Sequence, residues 1–438
     1  MKTLVLGAGM TGLAAARAGG LPVYEQAAAP GGICSSYYLR SGSRERLDRP
    51  PADDEAWRFE IGGGHWIFGG DPLVLDLIER LAPVRRYARR SSVWLPEREV
   101  LVPYPLQNHL SHLGPQLAGQ ALEEVLALAR ARPPVTTMQD WLRASFGPTL
   151  CQLFFEPFHR LYTAGLVERI APQDAYKSPI DPAQVVRGAF GDRAEAAGYN
   201  QTFAYPIDGL DALARALAAG CQVHYGHRVT RIDPRARTIA FANGREERWD
   251  RLLCTLPLNH ALRLAGVEVA GPPHPSPGVL VLNLGAERGP RCPTDQWVYV
   301  RDTRGGFHRV GFYDQVDESF LPASVRGRGT HTSIYVEKAY PEGQRPGPAE
   351  EQALIADVSA ELRAWGWIGG VEVADPTWIE VAYTWSWPGS RWVQEGVAAL
   401  EARGIHQVGR YARWCFQGIA DSLRDGLLAG AALRDRAP

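Results

Sequence analysis

The sequence is short of several features that would each have directed its reading elsewhere. It has no charge bias: 47 basic and 48 acidic residues leave a net charge of −1. That balance argues against a nucleic-acid partner. No apolar run is long enough to span a bilayer, so no integral membrane segment is expected. The six cysteines, at 34, 151, 221, 254, 292 and 415, include no CxxC pair. They read as free thiols of a cytoplasmic protein, not as a disulfide or zinc framework. Neither an HExxH helix nor an EF-hand loop is present, and no metal site is expected. No GxSxG elbow offers a serine nucleophile. No internal repeat is visible. The N-terminus does not read as a secretory signal, because glycines interrupt its apolar stretch.

What is there begins at residue 4. Leu4-Val5-Leu6 is a short apolar strand, Gly7, Gly9 and Gly12 follow as GxGxxG, and Leu13 to Ala18 is good helix material. Gly7 permits a tight turn, Gly9 lets backbone approach a pyrophosphate, and Gly12 lets the helix lie close to the strand. The unpaired N–H groups of the helix start then face the phosphates. A second strand, Leu21-Pro-Val-Tyr24, delivers Glu25 as an acceptor for a ribose hydroxyl. This context predicts a dinucleotide site. The bland alternative is a glycine-rich turn without a ligand. Gly7 to Glu25 is shorter than the about 30 residues of a usual βαβ unit, but phosphates meet only the first helical turn.

With 438 residues the chain has room for two or three domains. Thirteen Trp and 16 Tyr exceed ordinary core needs; a planar cofactor and a ring-shaped substrate would use them. Residues 40–58 read as a polar surface loop. Phe59-Glu60-Ile61 runs into Gly62-Gly63-Gly64-His65, which suggests backbone pressed on a flat ligand, or a turn that needs positive φ. Asp71 to Leu81 is helical. Val93–Leu95 and Val100–Val102 form a hairpin around Pro96-Glu-Arg98. Helical pattern covers Leu110 to Arg132, a helix capped by Thr136 or Thr137, an aromatic-rich stretch from Thr149 to Tyr162, and pieces from Pro172 to Arg193. Phe203 to Gly209 reads as a turn before a helix over Leu210–Ala218. Strands follow at 223–225, 229–232, 238–241 and 248–255. Residues 278–340 alternate as an antiparallel sheet would. Glu350 to Trp365 is a helix, Val371 to Tyr383 includes a strand, Gly404 to Val408 is the last strand, and Ile419 to Leu433 the last helix.

The N-terminal motif, with Glu25 and Pro30-Gly31-Gly32, resembles the FAD fingerprint of the amine-oxidase-like flavoproteins. That group includes monoamine oxidases, protoporphyrinogen oxidases, phytoene desaturases and UDP-galactopyranose mutases. Arg228-Val229-Thr-Arg-Ile232 with Trp249 to Pro257 looks like the family's second FAD segment, and Gly409-Arg410-Tyr411 with Phe416 to Gly426 looks like its C-terminal motif. The resemblance implies FAD held by Gly7, Gly9, Met10, Thr11, Gly12, Glu25, Gly31, Gly32, Gly63, Gly64, His65, Val229, Gly409, Arg410, Gly418, Ile419 and Asp421. It implies an α/β fold in which a Rossmann-like FAD domain is built from 1–70, 201–265 and 396–438. Substrate-domain strands would occupy 71–104 and a β-sheet substrate domain 266–395, with a helical insertion at 105–200.

The middle of the chain is similar to eukaryotic-type UDP-galactopyranose mutases. Gly63-Gly64-His65 matches their flavin-facing loop, and Val102-Pro-Tyr-Pro-Leu-Gln107-Asn108 a segment whose Gln contacts uracil. Trp297-Val-Tyr299 and Gly306-Phe-His-Arg309 match strands that supply a Tyr and an Arg to the sugar diphosphate. Three positions depart from that pattern. Glu156 stands where a diphosphate-clamping Arg is expected, and Trp387 and Phe416 replace phosphate-binding tyrosines. An acid beside a pyrophosphate repels it.

The candidate catalytic residues are therefore His65, Arg309 and Tyr299, and the candidate substrate contacts Gln107, Glu156, Trp387 and Phe416. Each has a plain alternative: a structural His in a glycine loop, a strand Arg, a sheet Tyr, a loop amide, and a Glu156–Arg160 pair one helical turn apart. The function implied is an FAD-dependent oxidoreductase that takes hydride from a small molecule, such as a sugar derivative, to flavin N5. The alternative is a redox-neutral mutase that uses reduced FAD to interconvert pyranose and furanose forms.

Overall fold

Thr3–Leu6 is the middle strand of a five-stranded parallel sheet. All four residues are buried, which is why the segment is apolar without alternation. Arg251–Cys254 and then Ile405–Gln407 lie on one side, Val23–Tyr24 and Val223–His224 on the other. The sheet is thus assembled from three distant stretches of chain. The structure, a computed structural model, describes residues 1–131, 133–173, 180–192 and 201–434. Helix Met10–Gly19 leaves the first strand through the glycine turn, and helix Ile419–Ala432 packs along it. Gly426 and Gly430 permit that closeness, since a Cβ on either would overlap the carbonyl of Thr11 or Ala15.

A second, seven-stranded sheet is antiparallel except where Trp297–Tyr299 runs parallel to Ser91–Leu95. Its longest inner strands are Gly278–Arg288 and His331–Tyr340, paired Leu282 to Val336. The expected polar alternation is absent from Gly278–Arg288, which is buried on both faces. Leu280, Leu282 and Leu284 pack with Leu354, Val358 and Leu362 of helix Pro348–Ala364. Val279 and Val281 face the opposite core, shared with Tyr335 and Phe59. The hairpin at 91–103 forms as the sequence suggests, with Val93 opposite Val102.

The helical region has a core of its own. Pro115–Ala131, Met138–Leu150, Glu156–Tyr162 and Pro182–Ala189 enclose Phe146, Leu150, Phe154 and Phe155. Thr137 caps the second helix by accepting from Asp140 N, while Asp140 accepts from Thr137 N at 2.9 Å. The stretch from Thr149 to Tyr162 is not one amphipathic helix. The chain kinks at Gly147, makes a π turn at Cys151–Phe155, and continues as Glu156–Tyr162. Arg132, residues 174–179 and Arg193, included in the helical expectations, lie outside the described residues.

Two further expectations are corrected. Residues 248–255 are two strands in different sheets, Glu246–Arg248 and Arg251–Cys254. The break at Trp249-Asp250 is fixed by the Trp249 N–H on Arg237 O and by Asp250, which accepts from Lys2 N at 2.6 Å. Phe203 to Gly209 begins as strand Thr202–Pro206, paired with Val84–Ala88, because Phe203 and Tyr205 bury their rings against Trp66. Helices Leu258–Ala265 and Trp392–Glu401 had no sequence expectation.

Candidate active site

A cleft of about 510 Å³ runs from the glycine turn, past the Gly62–His65 loop, to the helical region. At its first end the three glycines play separate parts. Gly7 has φ +95°, and a Cβ there would overlap Thr255 Oγ1. A Cβ on Gly12 would overlap Gly7 O, so this glycine sets the helix-to-strand distance. Gly9 differs: no protein atom lies within 4 Å of where its Cβ would be, and it opens on the cleft. Met10 and Thr11 continue the wall. Their helix has no side-chain cap and no acid in its first turn, which leaves its N–H groups for an anion. Glu25 lies on the wall, with its carboxylate accepting from Ala8 N at 2.7 Å and Ala27 N at 2.8 Å. Gly31 and Gly32 adjoin it.

A second helix start faces the same space. Gly418 and Ile419 line the cleft at the head of Ile419–Ala432. Asp421 stands off the wall; it accepts from Gly418 N at 3.1 Å and caps the helix. Gly409 lines the cleft close to Thr11, and Arg410 donates to Gln417 O at 3.1 Å with its guanidinium 4.7 Å over the Phe416 ring. Val229 is not on the wall; it is partly buried beside Ile232 and Phe241. The uncapped start of helix Met10–Gly19, the second helix start facing it and the bare space at Gly9 fit a dinucleotide pyrophosphate.

The glycine-rich loop after Phe59 lies between the cleft and a strand of the second sheet. Gly62, Gly64 and His65 line the cleft, but Gly63 does not. Gly63 has φ +74°, and its Cβ would stand 2.9 Å from Glu337 Oε1; a Cβ on Gly64 would overlap the Tyr335 hydroxyl. The loop needs glycine because strand His331–Tyr340 lies directly behind it. His65 presents a buried Nδ1 with no hydrogen-bond partner. Burial, and then the charge of Arg410, pushes its pKa down to about 4, so the imidazole is neutral at pH 7.

Beside the loop lies a charge cluster absent from the sequence reading. Arg309 donates from Nη2 to Glu337 Oε1. Burial alone would raise the Glu337 pKa, but Arg309 and His308 outweigh it and hold the value at about 2. His308 Nε2 stands 3.2 Å from the Tyr383 hydroxyl, which donates to Glu337 Oε2 at 3.4 Å. Burial lowers the His308 pKa despite Glu337. Tyr299 is on the wall between Tyr104 and Phe158, at ring distances of 4.9 and 5.5 Å. His308 precedes strand Arg309–Phe312, Glu337 lies on His331–Tyr340, and Tyr383 follows strand Ile368–Ile379. Only the register Arg309 to Glu337 across two of them would have pointed to the cluster.

The candidate substrate residues divide. Phe416 lines the cleft, while Gln107, Glu156 and Trp387 do not. Gln107 is buried in the turn Leu106–Asn108, against which Gly188 packs. Glu156 pairs with Arg143 at 2.5 Å, and Arg160 stands 3.9 Å from Glu168. The kink at Gly147 brings Arg143 to Glu156. Trp387 donates from Nε1 to Pro273 O at 2.9 Å, with Arg169 5.1 Å over its ring.

A search of curated protein sequences finds no match. Among solved structures, the fold matches a reduced UDP-galactopyranose mutase with a TM-score of 0.84, covering 98% of this chain and 94% of that one at 22% identity. A redesigned double mutant of putrescine oxidase matches with a TM-score of 0.58, 99% of each chain and 16% identity. A CLA-producing fatty acid isomerase from P. acnes matches with 0.57, 97% of each and 14% identity. At such identities these likenesses speak to the fold. The family model of the flavin-containing amine oxidoreductases matches residues 10–291, well over half of the chain. With that match and a cleft built for a dinucleotide, the chain belongs to the flavin-containing amine oxidoreductase family, and FAD is its cofactor.

Proposed function

We propose that the protein is an FAD-dependent oxidoreductase that removes hydride from a C–H beside a hydroxyl or amine of a small molecule. The observation that carries this reading is one cleft that joins a dinucleotide cradle to a set of buried and half-buried polar groups, His65, Arg309, Glu337, His308 and Tyr383. Bound FAD supplies hydride acceptance at N5, and the protein supplies orientation and charge. Gly9, Met10, Gly418 and Ile419 would hold the pyrophosphate and Glu25 a ribose hydroxyl. Neutral His65, with its buried Nδ1 turned to Gly62, offers the rest of its ring edge to the substrate hydroxyl or amine. The Tyr383 hydroxyl, placed between His308 and Glu337, positions a second polar group of the substrate. The aromatic walls exclude water from both.

The second reading is a redox-neutral sugar mutase, favoured by the match of nearly the whole fold to UDP-galactopyranose mutase. Anaerobic mixing of the yellow protein with amines, polyols and nucleotide sugars tests the first reading: a substrate bleaches the flavin absorbance, and no bleaching across the panel rejects it. Incubation of dithionite-reduced protein with UDP-galactofuranose tests the second, which requires UDP-galactopyranose to form.

A further inference from the structure

Resting on the oxidoreductase reading, we propose that the part of the substrate that enters the helical side of the cleft is uncharged and aromatic or alkyl, and that nucleoside diphosphates are excluded there. The wall contributed by residues 138–162 includes Met138, Trp141, Phe154, Phe155, Phe158 and Tyr162. His159, also on this wall, is neutral. Its Nδ1 lies 2.7 Å from Phe155 O, and burial pushes its pKa down to about 4. Trp385 closes the same side, 5.3 Å from the Tyr162 ring.

The arginines of this region are turned elsewhere. Arg143 is spent on Glu156, Arg160 lies near Glu168, and Arg169 covers Trp387; none lines the cleft. Among the described residues the arginines on the wall are Arg309 and Arg410, and the acids are Glu25 and Glu337. Arg309 is neutralised by Glu337, and Arg410 belongs to the cofactor end, beside Phe416 and Gln417. A diphosphate placed among the phenylalanines would leave water with no cation among the described residues of this wall to meet it. An aryl ring there finds edge and face partners: Phe154 and Phe158 lie 5.1 Å apart, and Phe158 and Tyr162 5.6 Å.

The test titrates the FAD-loaded protein with phenyl β-D-galactopyranoside, 2-phenylethanol, UDP and UDP-galactose, read by perturbation of the flavin absorbance. At least one aryl compound is expected to bind tenfold or more tighter than UDP, with an affinity unchanged between low and high salt. Phe158→Arg should weaken the aryl compound at least tenfold, whereas Phe158→Leu should cost far less. UDP binding tighter than both aryl compounds, with a salt-dependent affinity, overturns the proposal. So does a flat response to both aryl compounds. Either failure leaves the oxidoreductase reading to its own readout, flavin bleaching, and loss of FAD from the purified protein would count against that reading instead.

Discussion

Gly64 and Tyr335 share one space: any Cβ on the glycine would overlap the phenol oxygen. The Tyr335 ring is also where a Cβ on Gly311 would fall, on the neighbouring strand. The tyrosine is thus seated between two glycines, and through it the His65 loop is held to the seven-stranded sheet. Gly64→Ala should destabilise the protein by about 1–3 kcal/mol, as overpacking does, and should weaken FAD retention because the loop must shift. Urea unfolding and the flavin content after dialysis check this. Tyr335→Phe in the Gly64→Ala background removes the overlapping oxygen and should recover part of the loss.

Gly9 and Gly12 should separate ligand binding from folding. Gly9 has open space where a side chain would go, whereas a Cβ on Gly12 overlaps Gly7 O. Gly9→Ala is expected to leave the stability of deflavinated protein within about 0.5 kcal/mol, the range of an uncrowded substitution, while FAD affinity falls at least tenfold. Gly12→Ala should lower both. Equal losses of stability in the two variants would show that the space at Gly9 is not the pyrophosphate's.

Two wall residues make the fold acid-sensitive in separate windows. His65 has an unfolded pKa of about 6.5 and a folded value of about 4. Between those values the unfolded chain takes up a proton that the fold refuses, so stability falls as pH drops from about 6.5 to about 4. His109 and His159, also pushed down to about 4 by burial, share that window. Glu337 is depressed from about 4.3 in an unfolded chain to about 2 in the fold. Its contribution is complete above about 4.3 and is lost as pH falls toward 2. Glu337→Gln leaves Arg309 without its buried counter-charge and should cost about 3 kcal/mol at pH 7. It should also flatten the decline of the urea midpoint below pH 4.3. An unchanged slope there would mean that the ion pair does not set the acid limit.

Glu156 is expected to be silent in binding. It lies off the cleft wall and is held by an Arg143 that is more than half exposed. Glu156→Arg should leave affinity for UDP, measured by flavin absorbance, within a factor of two. The lost ion pair should cost no more than about 1 kcal/mol. A marked gain in UDP affinity would place this position in the pocket after all.

Most residues at the glycine-turn end of the cleft were legible in the sequence because their geometry is local, whereas Gly63, Val229 and Asp421 stand off its wall. Three glycines, a helix start and an acid at a strand end lie within residues 7–25, and local spacing fixes what each can do. The same holds for Gly409-Arg410 and for Gly418 at the head of the last helix. The substrate half was not legible in this way. Glu337 meets Arg309 only because two strands pair in one register, and Arg143 meets Glu156 only because the chain kinks at Gly147. Similarity of segments placed Gln107, Glu156 and Trp387 at a ligand, but the fold turns all three away from the cleft. By itself the sequence determined which residues could cradle a dinucleotide, since backbone turns and helix ends depend on neighbours along the chain. Tertiary structure alone decided which charges are cancelled and which side chains face the open space, because those depend on burial and on partners distant in sequence.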